Sequence, residues 1–110
     1  MSTSALIDIL DSNGETITTI YKHWDGYPED LGVGRILQSF LADIKIVNGI
    51  STTKNVANGM ECLAAQVIAH LKEGPGDVYI YPPNTRDLNE EYIYTIQEVN
   101  NKPVVNWKEV

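Results

Sequence analysis

Cysteine and basic residues are scarce in this chain of 110 residues. Cys62 is the single cysteine, which excludes an intrachain disulfide framework and a metal cluster built on several thiolates. Eight Lys and Arg residues stand against fifteen Asp and Glu residues, and the net charge of −7 argues against direct binding to a nucleic-acid backbone. An acidic surface can also mimic nucleic acid, but the scattered carboxylates favour the simpler role of keeping a small domain in solution.

Long hydrophobic runs are missing as well. No stretch approaches the roughly 20 apolar residues that a membrane-spanning helix needs, and residues 1–5 carry no basic charge. We therefore expect a cytoplasmic protein without a membrane partner. Hydrophobic residues make up 43% of the chain and charged residues 21%, which is typical of an ordered globular protein. The length fits one hydrophobic core, so we predict a single domain over residues 1–110.

The apolar pattern of that domain predicts the element order ββααβββ. Strands over residues 5–10 and 16–21 flank the hairpin signal Asn13-Gly14. Two amphipathic helices follow, the first beginning near Pro28 and ending near residue 44, the second over residues 59–71, with a polar connection over residues 48–57 between them. Three more strands are predicted over residues 77–81, 91–99 and 104–108. The predicted fold class is α+β, with two helices on one face of a mainly antiparallel sheet.

Tyrosines are concentrated in the last predicted strands, and their placement indicates what lies on the face of the sheet that the helices leave uncovered. Two helices cover one face of such a sheet, and we expect the aliphatic sides of the strands to meet them. The opposite face then carries Tyr79, Tyr81, Tyr92 and Tyr94. An uncovered tyrosine face predicts an interface, for example a homodimer. The alternative is that tyrosine is simply a favourable strand residue with its hydroxyl in water.

The densest chemistry lies in residues 23–30, with the sequence HWDGYPED, where a predicted strand runs into a predicted helix. His23 and Asp25 project to the same side of an extended strand, and Glu29 lies one turn further on. Together they could bind a metal ion or perform acid–base chemistry. The only other histidine, His70, has no recognisable motif around it, so the pattern predicts no catalytic residue, no metal ion and no cofactor. The structural alternative is a strand-to-helix corner whose geometry is set by Gly26 and Pro28, with Asp25 hydrogen-bonded to the backbone of the turn.

A resemblance rests on residues 21–29, with the sequence YKHWDGYPE, on residues 59–65 and on the tyrosine pairs of residues 78–81 and 92–94. In these features the chain resembles small uncharacterised bacterial and bacteriophage proteins that carry a His-x-Asp-Gly-Tyr-Pro-Glu motif. That resemblance implies an origin in a phage or mobile element, where small acidic proteins often bind and block a host component. The group brings no activity that can be carried over to this chain.

The leading functional prediction is non-enzymatic binding to a host protein or a small ligand, for example as a counter-defence inhibitor. Trp and Tyr side chains supply the apolar contact that dominates binding hot spots, and a carboxylate adds charge selectivity. The predicted binding edge comprises His23, Trp24, Asp25, Tyr27 and Glu29. One alternative is a small hydrolase or nucleotide-processing enzyme that uses His23, Asp25 and Glu29. The other is a structural or self-assembling protein in which the motif is only a corner.

Overall fold

A computed structural model describes residues 3–49 and 55–110 of the chain. The main sheet has five strands in the order β5-β2-β1-β6-β7, in which β1 and β6 are parallel and every other neighbouring pair is antiparallel. The α+β class and the mainly antiparallel sheet are confirmed. The elements in chain order are β1 (Ala5–Leu10), β2 (Thr16–Lys22), α1 (Val33–Leu41), β3 (Lys45–Val47), β4 (Val56–Asn58), α2 (Gly59–Leu71), β5 (Val78–Tyr81), β6 (Tyr92–Val99) and β7 (Lys102–Glu109).

The predicted order ββααβββ is wrong because β3 and β4 separate the two helices. These two strands form a small parallel pair of their own, and each buries one apolar side chain, Ile46 and Ala57. Strands of three residues with one buried position each leave almost no periodic signal in the sequence. The polar connection predicted over residues 48–57 includes residues 50–54, which lie outside the described residues.

Helix α1 begins at Val33, several residues later than predicted. The Val33 N–H donates to the Asp25 carbonyl at 2.7 Å, and the Gly34 N–H donates to the Tyr27 carbonyl at 3.2 Å. These carbonyls satisfy N–H groups that a helix N-terminus otherwise leaves free. Asp30 adopts a left-handed φ of 54°, which interrupts a helical path from Pro28. Pro28 and the two acidic residues after it therefore lie in a turn that precedes the helix.

The helices cover the face of the sheet that carries Tyr92 and Tyr94, so the prediction that these two tyrosines lie on an uncovered face is wrong. Tyr94 is fully buried with Ile7 and Ile96 in the core cluster between sheet and helices. Its hydroxyl donates to the Gly26 carbonyl at 2.7 Å. Strand β6 lies inside the sheet, and a large ring with one satisfied polar end fills the space under α1. Tyr92 is half-buried against the same core.

The opposite face of the sheet is largely covered by the connection over residues 82–91. Strands β5 and β6 run in the same direction but are separated by β2 and β1, so the chain between them must pass over a face of the sheet. Arg86 Nη2 lies 2.7 Å from Asp8 Oδ2, and the Asn84 N–H donates to Thr19 Oγ1 at 2.8 Å. Leu6, Asp8, Thr19 and Ile93 are consequently buried on this second face.

Removing the Arg86 side chain tests this connection. Asp8 is nearly buried and would keep Thr19 Oγ1 as a donor, at 2.6 Å, but lose its ion-pair partner. Because Arg86 is itself partly exposed, we expect Arg86→Ala to lower the free energy of unfolding by about 1–3 kcal/mol in urea titrations. Arg35→Ala removes an exposed arginine on α1 and is the matched control. Equal stability of the two variants would show that the ion pair does not hold the connection.

Candidate functional site

Residues 23–30 do not form one cluster in the structure but divide in three directions. His23 and Trp24 turn toward the edge of the sheet at β5. Asp25 lines a groove between the two helices. Gly26, Tyr27 and Pro28 pack as a corner against β1 and α1. The sequence motif therefore contributes to two different surfaces and to the core of the fold.

The aromatic surface comprises Tyr21, His23, Trp24, Tyr79 and Tyr81. Tyr21 lies at its centre, with ring centroids 5.8 Å from His23, 6.1 Å from Tyr79 and 6.3 Å from Tyr81. The Tyr21 hydroxyl lies 2.9 Å from His23 Nδ1, and the imidazole centroid lies 5.3 Å from that of Trp24. The rings come from β2, from the residues that follow it, and from β5, the edge strand beside it. The surface therefore brings His23 and Trp24 of the predicted binding edge together with Tyr79 and Tyr81 of the predicted tyrosine interface.

Asp77 holds Trp24 in position on this surface. Its Oδ1 accepts the Trp24 N–H at 2.9 Å, and its carbonyl accepts the His23 N–H at 2.7 Å. Its Oδ2 lies 2.5 Å from Lys22 Nζ, which also donates to the Trp24 carbonyl at 2.7 Å. The backbone of Trp24 is thus bonded on both its N–H and its C=O. Such bonding leaves little freedom to the residue that presents the indole.

Exposure is what makes the aromatic surface a candidate for binding. Trp24 is 48% exposed and Tyr79 is 46% exposed, although both rings contact other aromatic side chains. Neighbouring large apolar groups that remain in water mark interaction surfaces more often than scattered ones do. Lys72 Nζ lies 5.6 Å from the centroid of the Tyr79 ring, which adds a cation to the rim of this surface.

An interhelix groove opens beside the aromatic surface. One part has a volume of about 410 Å³, with Asp25, Glu73 and Asp77 among its lining residues. A second part of about 440 Å³ has a more apolar lining, and Leu31 and Ile36 line both parts. The groove lies where the beginning of α1 and the end of α2 approach each other. Its size falls in the range of small-molecule sites, but no described contact links it to the aromatic rings.

The remainder of the motif serves the fold. A Cβ atom on Gly26 would lie 2.8 Å from Ala5 Cβ, so glycine allows the close approach of the corner to β1. The Tyr27 ring is half-buried and its hydroxyl lies 3.5 Å from Asp25 Oδ1. Partial burial, and then the neighbouring Asp25 carboxylate, raise the pKa of the Tyr27 hydroxyl. Glu29 is exposed in the turn before α1.

The three residues of the enzymatic alternative make their described contacts with different neighbours. His23 contacts Tyr21 and Trp24, Asp25 contacts Tyr27, and Glu29 lies exposed beyond the corner. Within residues 3–49 and 55–110, no group of three or more His, Cys, Asp or Glu side chains could hold a metal ion. No described contact joins the three into an acid–base set.

The tyrosines predicted as an interface are separated by the fold. Tyr79 and Tyr81 belong to the aromatic surface, Tyr92 lies half-buried on the helix-covered face, and Tyr94 is in the core. The sequence reasoning missed Tyr21, Lys22 and Asp77. The signal that could have found Tyr21 is its position two residues before His23, which puts both side chains on the same side of an extended strand. The contribution of Asp77 depends on a pairing across 55 residues, which has no local signal.

Comparison with models of protein families, with curated proteins and with solved structures found no match to this chain. No helix in the described part of the chain is long and apolar enough to cross a membrane.

Proposed function

We propose that the protein is a non-enzymatic binding protein that engages a host protein through the aromatic surface. The observation that carries this proposal is that Trp24 and Tyr79 are highly exposed, although the Trp24 backbone is hydrogen-bonded on both sides and Tyr79 lies in a strand paired with β2. Rigid aromatic side chains give large contact areas at a low entropic penalty, and Trp and Tyr are enriched among residues that dominate binding energies.

The chemistry of the surface indicates what kind of partner it suits. The rings present apolar area, and the hydroxyl groups of Tyr79 and Tyr81 offer hydrogen bonds at its edge. The chain as a whole carries a charge of −7, which favours encounter with a partner of positive potential. An origin in a phage or mobile element, and a role as a counter-defence inhibitor of a host protein, agree with these features and belong to the same proposal.

Trp24→Ala is expected to weaken the complex with that partner by roughly thirtyfold or more, the size of a binding hot spot of about 2 kcal/mol. The partner is first identified by photocrosslinking from a benzophenone amino acid placed at position 79 in bacterial cells. Binding constants for the purified pair are then measured by calorimetry. The melting temperature of Trp24→Ala should stay near that of the unsubstituted protein, because the indole is half exposed.

Trp107→Ala is the matched control, since Trp107 is 50% exposed and lies on β7 at the opposite edge of the sheet. Equal losses of affinity in the two variants, or a crosslink to the same partner from position 107, would contradict binding through the aromatic surface. A partner whose affinity falls with Ile36→Ala but not with Trp24→Ala would instead place binding in the interhelix groove. Turnover of a substrate that is abolished by His23→Ala would favour the enzymatic alternative.

A further inference from the structure

The two edge strands of the main sheet, β5 and β7, differ in length and in the hydrogen bonding of their outward-facing backbone N–H and C=O groups. Strand β5 has four residues, and along its outer side the Val78 N–H donates to the Gly76 carbonyl while Lys72 Nζ donates to the Val78 carbonyl. This edge is therefore short and partly closed. Strand β7 has eight residues and borders β6 on one side. A long edge strand presents a row of N–H and C=O groups that can pair with another strand.

The register of β7 identifies which groups point outward. The Val110 N–H donates to the Glu91 carbonyl at 2.9 Å, and this pair continues the antiparallel register of β6 and β7. Hydrogen bonding alternates along an antiparallel ladder, so Asn106 bonds toward β6. The backbone groups of Val105 and Trp107 then point away from the sheet.

We propose that two copies of this chain pair through β7, antiparallel, about a twofold axis that passes through Asn106. The pairing places Val105 of each copy opposite Trp107 of the other and continues the sheet, with five strands from each copy. Pro103 has no N–H, which limits the pairing at that end. Because each copy uses its β7 edge once, the assembly closes as a dimer.

The surroundings of Trp107 favour a second copy as the occupant of this edge. Trp107 lies opposite Tyr94, on the face of the sheet that carries the helices, and is 50% exposed. A groove of about 250 Å³ lies between α1 and the β7 edge, with Leu41, Ala42 and Val105 among its lining residues. The twofold axis brings Trp107 of the second copy opposite Val105 and so next to this groove. An indole placed there would become one of the main contacts of the dimer.

Charge supports the same occupant. The chain carries a net charge of −7, so two copies repel each other over most of their surfaces. Strand β7 carries Lys102, Lys108 and Glu109, a local net charge of +1. In the antiparallel register through Asn106, Glu109 of each copy lies opposite Pro103 and Lys108 lies opposite Val104, so no like charges face each other directly along this strand.

Engineered cysteines test the register directly, in a Cys62→Ala background. The axis places the two copies of residue 106 opposite each other in a pair without backbone hydrogen bonds. The Cα separation of such a pair, about 4.5 Å, lies within the range of a disulfide. Asn106→Cys should therefore form a disulfide with itself. Val104→Cys and Lys108→Cys should each remain without a disulfide under oxidation, but the two variants should link to each other when they are mixed. Self-linking of Val104→Cys without linking of Asn106→Cys would overturn the register.

Sedimentation equilibrium of the unlinked protein tests the dimer itself. We expect Trp107→Ala to weaken dimerisation by roughly thirtyfold, and Ala42→Arg to weaken it as well, since its side chain enters the groove that receives Trp107. Trp24→Ala should leave the dimer intact, which separates this proposal from the aromatic surface. A protein that stays monomeric at every concentration, or a dimer that Trp24→Ala dissociates and Trp107→Ala does not, would overturn the proposal. Circular dichroism of each variant confirms that it is folded.

Discussion

Asp77→Ala is expected to lower the free energy of unfolding by about 3 kcal/mol and to release Trp24 from its fixed position. The substitution leaves Lys22, whose side chain is 8% exposed, without its ion-pair partner. Removing one member of a buried ion pair is strongly destabilising because the remaining charge stays desolvated. It also removes the acceptor of the Trp24 N–H. Urea unfolding measures the first effect.

Fluorescence anisotropy measures the second effect. In a Trp107→Phe background Trp24 is the only tryptophan, and its anisotropy should fall in Asp77→Ala. Asp77→Asn keeps an oxygen acceptor and tolerates the φ of 69°, so it should retain most of the anisotropy while losing stability. Asp87→Ala is the control for the strain of placing alanine at a left-handed φ, since Asp87 is exposed and has a φ of 67°. If Asp77→Ala and Asp87→Ala lose equal stability, the ion pair contributes nothing measurable.

Tyr94→Ala is expected to lower the free energy of unfolding by about 3–5 kcal/mol, the usual loss for truncating a fully buried aromatic ring. Tyr94→Phe should lose about 1 kcal/mol, because it removes the hydrogen bond to the Gly26 carbonyl but keeps the ring. Tyr79→Ala is the matched control on an exposed ring and should lose far less. Comparable losses in Tyr94→Ala and Tyr79→Ala would contradict the placement of Tyr94 in the core.

The same tyrosine predicts a loss of stability in alkali. Burial raises the pKa of the Tyr94 hydroxyl well above its ordinary value near 10. Below pH 10 the hydroxyl is neutral in both the folded and the unfolded chain, so its contribution is fully present. Above pH 10 the unfolded chain loses this proton and the folded chain keeps it, so stability falls as the pH rises. Thermal unfolding should therefore become less steeply pH-dependent above pH 10 in Tyr94→Phe, and an unchanged dependence would contradict this account.

The sequence predicted much of the sheet because its strands carry strong local signals. The Asn13-Gly14 turn joins β1 and β2, and the strands over β5, β6 and β7 lie within a few residues of the predicted ranges. Helix α2 matches its predicted range because its apolar stripe is regular. Strands β3 and β4 escaped prediction because each is short. The start of α1 was misplaced because the Asp25 and Tyr27 carbonyls, rather than the turn at Pro28, receive its first N–H groups.

The candidate site was only partly predictable. His23 and Trp24 were singled out because aromatic and polar residues are dense there, and both lie on the aromatic surface. Asp25, Tyr27 and Glu29 were grouped with them by proximity in the chain, yet the corner at Gly26 turns them elsewhere. The spacing of residues in the sequence predicts the direction of their side chains only within one continuous strand or helix, and β2 ends at Lys22.

By itself the sequence determined the α+β class and the concentration of aromatic residues near residues 21–27. The tertiary structure alone decided which tyrosines remain exposed. Period-two alternation separates the two faces of a strand but does not say which face the helices cover, and here α1 covers Tyr94 while β5 presents Tyr79. The tertiary structure also decided that Asp77 holds the Trp24 backbone, because a hydrogen bond between residues 53 positions apart depends on strand order. Strand order is a property of the whole sheet, and no local pattern encodes it.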